Sequence, residues 1–289
     1  MSTVGELIEE CAEALADAGV VFGQGTDNAW DEATVLVLSV TDLADDEANL
    51  GVEVQAAQAE LIRSLLHKRI NERVPLAYLL GRWWFAGLEF LVEPGVVVPR
   101  SPIGELLLAE LSPWLTRPPR RVLDLCAGSG CIGITAAHVW QDATVDLVEL
   151  DPATAALARR NVVHHQLGDR VTVYEGSLYQ PLPEGARYDL ILANPPYVDD
   201  ADMRSLPREF RKEPTMGLAG GPDGLELARQ IIDARTAWLA AEGVLVCEVG
   251  MSAAALARAY PDLPFIWPEF EAGGVGVFLL LPEGASAGS

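Results

Sequence analysis

The stretch of the chain with the most specific chemistry is Asn194-Pro195-Pro196-Tyr197, placed directly after the apolar run 188–193. Proline disfavours the helical region for the residue before it, so Asn194 is extended and aimed outward from a strand tip. Two consecutive prolines stiffen the turn and leave carbonyl groups without competing N–H donors. The Asn194 side chain and the Pro195 carbonyl can then both accept hydrogen bonds from one planar NH2 group. Tyr197 would wall that pocket or stack on the plane. The pattern selects an sp2 nitrogen, either a carboxamide or the exocyclic amine of a base. The competing reading is a rigid Pro-Pro turn around a buried Asn.

An amide nitrogen is a poor nucleophile because its lone pair is delocalised into the carbonyl. Two acceptors that hold its hydrogens can orient that lone pair toward an electrophile, and orientation of this kind gains roughly 7–11 kcal/mol. Fixed dipoles stabilise the charge that develops. No His, Cys or carboxylate is required as a formal base before transfer, and no catalytic triad is visible in the chain.

A second motif, Asp124-Leu125-Cys126-Ala127-Gly128-Ser129-Gly130-Cys131, closes a strand and opens a helix. Glycines there let the backbone turn tightly and approach a ligand, at the strand end where open α/β sheets bind nucleotides. The lysine of an ATP-type loop is missing, and Ile134 stands where a dinucleotide fingerprint needs its third glycine. An acid ahead of the glycines, here Asp124, suits the cationic methionine end of S-adenosyl-L-methionine (SAM). The alternative is a plain strand–helix turn. At the next strand tip, Glu149 is the first choice for accepting both ribose hydroxyls, the geometry that NAD sites use. Asp151 is the second choice, because it could instead cap the helix begun by Pro152. A third loop, Glu175-Gly176-Ser177-Leu178-Tyr179, could contact adenine.

Strands and helices must position these loops. From Arg120 onward, apolar runs at 122–125, 145–150, 171–174, 188–193 and 244–249 alternate with helical segments such as 152–164 and 224–241. That alternation predicts βαβ units, a parallel sheet and helices on both faces. Runs 265–270 and 275–281, joined at Gly273-Gly274, predict a terminal antiparallel hairpin, and 283–289 reads as a disordered tail. Upstream, three amphipathic stretches predict a small helical domain over 1–75. Their apolar positions are Leu7, Ile8, Cys11, Ala14 and Leu15; Trp30, Ala33, Val37 and Val40; then Leu61, Leu65 and Leu66. Pro75 breaks the pattern, and a linker over 76–100 reads as a hairpin pivoting on Glu93-Pro94-Gly95, with Val96-Val97-Val98 as its second strand. The catalytic domain would span 101–282.

Composition narrows the partner. Of 289 residues, 50% are apolar, ample for a core, while 42 acids against 20 bases give a net charge of −22. Nucleic-acid affinity comes largely from neutralising phosphates, so free DNA or RNA is opposed as partner and a cationic one favoured. Residues 1–75 carry 15 acids and 4 bases, with no Lys or Arg before Arg63. A solvated helical surface is the plain reading; an anionic surface that captures a basic protein is the sharper one. The N-terminus has no signal-peptide pattern, and no apolar run is long enough to span a bilayer. Four cysteines without a C-x-x-C pair and four histidines without ligand spacing predict no structural metal and a reducing, cytoplasmic setting.

These residues resemble the HemK/PrmC/PrmB family of protein-glutamine N5-methyltransferases. The likeness spans nearly the whole chain: helical N-domain, Pro75-Leu76-Ala77-Tyr78 and Gly81, the Gly-rich turn, and Asn194-Pro195-Pro196-Tyr197. The last motif alone is shared with DNA and RNA amino-methyltransferases; its combination with the upstream stretch is specific. Within the family, Val98-Pro99-Arg100-Ser101-Pro102-Ile103-Gly104-Glu105, Cys126, Gly221-Pro222-Asp223-Gly224-Leu225 and Cys247-Glu248-Val249-Gly250 are similar to the branch that modifies ribosomal large-subunit protein three. Ser177 and Glu149 depart from the family's usual Asp at their positions.

The resemblance implies a class I SAM-dependent methyltransferase fold, Rossmann-like, with an antiparallel terminal hairpin behind a helical domain and a hairpin linker. It implies that Asp124, Cys126, Ala127, Gly128, Ser129, Gly130 and Glu149 hold SAM, with Ser177, Leu178 and Asn194 beside it. Asn194, Pro195, Pro196 and Tyr197 would hold the glutamine, and Arg100 and Glu105 would lie near the entrance. The implied activity is methylation of a glutamine amide in ribosomal large-subunit protein three, recognised by the helical domain. The alternatives are glutamine methylation of release factors, a nucleic-acid amino-methyltransferase, and a non-catalytic assembly factor.

Overall fold

The computed structural model describes residues 2–271 and 273–282, so the expected tail at 283–289 lies outside the described residues. The chain divides into two compact units. One comprises Met1–Trp83, Val92–Pro94 and Leu206–Glu213; the other comprises Trp84–Leu91, Gly95–Ser205 and Pro214–Ser289.

In the first unit, Thr3 and Glu6 form a reciprocal capping box that starts α1 (Val4–Asp17), and Asn28 caps α2 (Ala29–Thr41). The stripe Val4, Leu7, Ile8, Cys11 and Leu15 buries against the rest of the bundle, while Ala14 is only half-buried. The expected apolar faces of the next two helices need correction. Trp30 is 51% exposed, and the core face of α2 is Glu32, Ala33, Leu36 and Val37. On α3 (Ala56–Glu72), Leu61 is exposed and the inward stripe is Ala59, Ile62, Leu66 and Arg69. The reason is electrostatic: buried Arg69 donates to the Glu32 carboxylate at 2.6 and 3.1 Å, so two charged residues stand on the inner stripe. Reading apolar letters alone rotates the helix. The segment Leu206–Glu213 joins this unit through Glu209, which accepts the Val21 N–H at 3.2 Å and pairs with Arg73 at 3.0 Å.

Helix resumes after Pro75 as α4 (Leu76–Leu80), since proline suits a helix start. The hairpin is shorter than expected and pivots elsewhere. Its strands are β1 (Arg82–Phe85) and β2 (Leu88–Leu91), and its turn is Ala86-Gly87, both in the left-handed region at φ 49° and 78°. Two such residues match the twist of a two-residue hairpin. Pro94-Gly95 still turns the chain, but Val96 to Val98 form no strand. Beyond them lies α5 (Ile103–Leu108).

The second unit is built on a six-stranded sheet in the order β5-β4-β3-β6-β7-β8. The strands are β3 (Arg121–Leu125), β4 (Thr144–Glu149), β5 (Val171–Glu175), β6 (Tyr188–Ala193), β7 (Leu239–Glu248) and β8 (Val277–Leu280). All pairs are parallel except β7 with β8. Side chains alternate between two buried faces. Val122, Val145, Leu190 and Val246 belong to one core and Leu123, Val148, Ile191 and Leu245 to the other. Helix α6 (Cys131–Val139) contributes Ile134 and Ala137 to the first core. The second core takes Ala228, Ile231 and Ile232 of α9 (Glu226–Trp238). The remaining helices are α7 (Pro152–His164), α8 (Asp200–Ser205) and α10 (Ala253–Ala259).

The expected terminal hairpin reduces to one strand. Residues 265–270 contribute a single bridge, Ile266↔Leu279, because Pro264 and Pro268 lack the N–H groups needed to extend a ladder. Among the described residues, no helix is long and apolar enough to cross a membrane.

Candidate active site

From β3 the chain moves outward to β4 and β5, then returns to β6 on the other side of β3. This reversal puts the loops after β3 and β6 side by side at the carboxyl ends of their strands, where open α/β sheets bind ligands. The register makes the convergence specific. Val148, Leu125, Ala193 and Cys247 form one row across four strands. One step further along each strand stand Glu149, Cys126, Asn194 and Glu248.

Asp124 is fully buried beneath the Gly-rich loop, and its Oδ2 accepts the Gly133 N–H at 2.8 Å. Its Oδ1 has no hydrogen-bond partner among the described residues. Desolvation pushes this carboxyl from 3.8 up to about 7, against the pull of the Gly133 bond. Cys126 occupies the left-handed region at φ 59°, which disfavours a side chain, and Ala127 N–H reaches across to the Val148 carbonyl at 3.0 Å. Ser129 is buried, and its carbonyl accepts from Asn161 Nδ2 at 2.9 Å. Gly130 begins α6 at φ 83°, where a Cβ would press on Leu147 and Ile134 at 3.1 and 3.2 Å. Around Gly128 a Cβ would meet nothing within 4 Å, so the loop faces open space there.

Glu149 binds this loop: Oε2 accepts the Gly128 N–H and Oε1 the Asp151 N–H, both at 2.9 Å. Burial raises its pKa, opposed by those backbone donors. A carboxylate offers about four acceptor sites, so each oxygen keeps capacity for a hydroxyl. Asp151 caps α7, accepting from Thr154 N–H at 2.8 Å and Thr154 Oγ1 at 2.9 Å, and those bonds hold its pKa down. Gly176 N–H donates to the Glu149 carbonyl at 2.9 Å, which ties the third loop to the same strand tip. Ser177 there is half-buried, and Leu178 is buried with φ 47°. Tyr179 turns into the core instead, stacking on Trp238 with ring centroids 5.2 Å apart.

Asn194 is half-buried, and its carboxamide makes no hydrogen bond to another described residue. Pro195 is buried beside it. Val198 continues the turn, pairing with Leu218 and Gly220 through bonds of 2.9 and 2.8 Å. The Tyr197 hydroxyl donates to Glu248 Oε1 at 2.8 Å, and Ser101 Oγ donates to Glu248 Oε2 at 2.5 Å. Tyr197 is therefore held at its hydroxyl. The two residues expected near the entrance have interactions of their own. Arg100 contributes positive charge near Glu248, and Glu105 accepts the Glu271 N–H at 2.9 Å.

Sequence reasoning assigned no role to Asn161, Ser101 or Glu248. Asn161 was detectable as a lone amide on the apolar side of α7. It is fully buried and grips Leu91 N–H at 2.8 Å and Leu91 carbonyl at 3.2 Å as well as Ser129. For Glu248 the signal was an acid closing the apolar run 244–247.

The loops after β3 and β4 fit SAM. The orphaned, buried Asp124 Oδ1 offers an acceptor for an ammonium, the space over Gly128 is clear, and Glu149 keeps acceptor sites for a diol. The family description "Methyltransferase small domain" matches residues 100–216. Among solved structures, the hMettl16 catalytic domain in complex with MAT2A 3'UTR hairpin 6 aligns with TM-score 0.52 and 17% identity, covering 78% of this chain and 81% of that one. A methyltransferase from Pyrococcus furiosus aligns with TM-score 0.50 and 16% identity, covering 68% and 89%. At these identities the likeness concerns the fold, a class I methyltransferase fold. Closer in sequence is the ribosomal protein uL3 glutamine methyltransferase of Francisella tularensis, 41% identical over 97% of this chain and 90% of the relative. That of Bordetella pertussis is 42% identical over 98% and 96%. With this identity held over nearly the full length of both relatives, the chain belongs to the family of ribosomal protein uL3 glutamine methyltransferases.

Proposed function

We propose that this chain transfers the methyl group of SAM to the side-chain amide nitrogen of a glutamine in ribosomal protein uL3. The observation that carries the reading is the Asn194 carboxamide, without a hydrogen bond to another described residue, beside the Pro195 carbonyl and one strand away from the Gly-rich loop. SAM supplies a methyl group bound to a positively charged sulfur. Asn194 Oδ1 and the Pro195 carbonyl accept the two hydrogens of the glutamine NH2, turn its lone pair toward that methyl, and stabilise the positive charge that grows on nitrogen. The proton leaves to water after transfer. Asp124, residues 126–130, Glu149, Ser177 and Leu178 hold the cofactor in this reading, and the helical domain over residues 1–75 recognises the protein substrate.

Two considerations favour uL3 over release factors: the Arg100-Ser101-Pro102-Ile103-Gly104-Glu105 stretch and the names of the relatives. A net charge of −22 disfavours free nucleic acid as the substrate. The test is transfer from labelled SAM to purified uL3 and to release factors, with peptide mapping of the product. Label on a glutamine of uL3 is expected; label on lysine or arginine, or only on nucleic acid, overturns the amide argument. Asn194→Ala should leave SAM affinity largely intact, since Asn194 lies beside the cofactor in this reading, and lower turnover about 10²- to 10³-fold, the loss typical of one preorganised hydrogen-bonding group. Unchanged transfer refutes the role given to Asn194.

A further inference from the structure

The turn 194–197 has a buried partner that the reaction proposed above does not use. Glu248 stands one register step beyond the Ala193↔Cys247 pair, at the end of the strand next to the one that carries Asn194. It is 5% exposed, and its two oxygens are divided between the hydroxyls of Tyr197 and Ser101. Burying a carboxylate is costly even with such partners. Desolvation raises its pKa, while the two hydroxyls and Arg100 oppose the shift. Each of its oxygens already accepts a hydroxyl hydrogen bond, which ties this carboxylate to the two side chains beside it.

Its geometry instead controls the far end of the turn. Two prolines leave few soft torsions between Asn194 and Tyr197, so fixing Tyr197 fixes the Pro195 carbonyl. Tyr197 is clamped elsewhere too. Its ring lies over Gly250, where an added Cβ would stand 2.6 Å from it, and its backbone lies over Gly220, where the distance would be 2.7 Å. These contacts confine the ring laterally. The bond to Glu248 holds the hydroxyl end.

We infer that Glu248 is a positioning residue for methyl transfer: through Tyr197 it sets the direction of the Pro195 carbonyl relative to the Asn194 carboxamide, so that both acceptors meet one substrate NH2. The inference rests on the amide-methylation reading. It also predicts which substitutions are tolerated. A glutamine at 248 can accept from one hydroxyl and donate to the other, keeping both links with no charge. An alanine keeps neither.

The experiment compares Glu248→Gln, Glu248→Ala, Tyr197→Phe and the double variant Tyr197→Phe/Glu248→Ala in labelled-methyl transfer to uL3, with SAM affinity measured by calorimetry. Glu248→Ala and Tyr197→Phe should each lower kcat roughly 10- to 100-fold, the scale of a small misplacement of reacting groups. KM for uL3 and SAM affinity should stay near wild type, and Glu248→Gln should restore most of kcat. The double variant should be no worse than either single one, because both act through one contact. Full activity in Glu248→Ala, losses that multiply in the double variant, or an inactive Glu248→Gln overturns the proposal. Should Glu248→Ala fail to fold, the same decision falls to Tyr197→Phe with and without Glu248→Gln, where the glutamine must add no further loss. A 13Cζ-tyrosine spectrum supplies a readout independent of substrate: the Tyr197 resonance must move in Glu248→Ala. If the wild-type chain methylates no glutamine, the reaction proposed above is wrong, and that resonance alone then decides whether Glu248 holds Tyr197.

Discussion

If Asp124 meets the cationic end of SAM, as proposed, it links cofactor binding to pH with a defined sign. Without ligand, burial raises its pKa from 3.8 to about 7, so the native state holds a proton that the unfolded chain has released. Stability from this group is complete below about pH 4 and is lost as pH rises through about 7. Three units correspond to about 4 kcal/mol at most. The exchange is carried by Oδ1, which has no partner among the described residues, since Oδ2 keeps the Gly133 N–H in either state. A ligand ammonium placed against Oδ1 favours the ionised form, so binding SAM should expel the proton. SAM affinity should then rise by up to about tenfold per pH unit between about pH 5 and 7, and level off above.

Titration calorimetry in buffers of different ionisation enthalpy measures both the affinity and the protons released. Asp124→Asn preserves an acceptor for Gly133 while removing the charge, so it is the matched control. The variant should bind SAM more weakly by about 2 kcal/mol or more, as expected when one partner of a buried charge pair is removed. Its affinity should also be flat across the same pH range. In thermal unfolding of the ligand-free protein, the wild type should lose stability relative to the variant as pH rises through about 7. A pH-independent wild-type affinity, or equal slopes in the two proteins, refutes the assignment of Asp124 to the cationic end of SAM.

Two further predictions concern the helical unit. Arg69→Met should destabilise it by about 3–5 kcal/mol in chemical denaturation, because Glu32 would remain buried without its cation. A change below about 1 kcal/mol would mean that Thr26, which also donates to Glu32 at 3.0 Å, satisfies that carboxylate alone. If the acidic surface captures a basic protein, kcat/KM on uL3 at saturating SAM should fall as salt rises from about 0.1 M to 1 M, over which the Debye length shrinks from about 10 to 3 Å. Neutralising exposed Glu9, Glu13 and Asp17 of α1 should flatten that dependence; an unchanged kcat/KM assigns the charge to solubility alone.

The parallel sheet was legible because each strand is a short apolar run flanked by turn residues; 188–193 and the helix 152–164 agree with the structure to the residue. Errors arose where a residue's type hides its environment. Arg69 and Glu32 look like surface residues and are core, because each neutralises the other. Ala86-Gly87 was passed over in favour of Pro94-Gly95, since alanine is an unusual occupant of a left-handed turn position. Glu209 lies far along the sequence from the helices it braces, and no local period could reveal it. At the site, the residues with a motif of their own were visible. The contacts made by Asn161, Ser101 and Glu248 were not, although the last two lie in stretches that carry the family resemblance, because these side chains act by holding others and their spacing is set only once the sheet has formed.

If the turn 194–197 holds the substrate amide, the register gives a reason for an Asn rather than an acid at its start. Val148, Leu125, Ala193 and Cys247 end a buried row, and the next residues are Glu149, Cys126, Asn194 and Glu248. Two of those four are carboxylates already raised by desolvation, and Asp124, also raised, lies just behind them. A fourth carboxylate at 194 would add like charge to an already costly group and be driven toward its protonated form, in which one oxygen becomes a donor. A donor there would oppose the substrate N–H instead of holding it. A carboxamide keeps an acceptor oxygen at every pH the protein experiences, with no charge to desolvate. In the proposed reaction the neutral amide at 194 thus complements its acidic surroundings: Asp124 would meet the ammonium of the cofactor and Glu149 its diol, while the substrate amide would be held by groups whose protonation does not change.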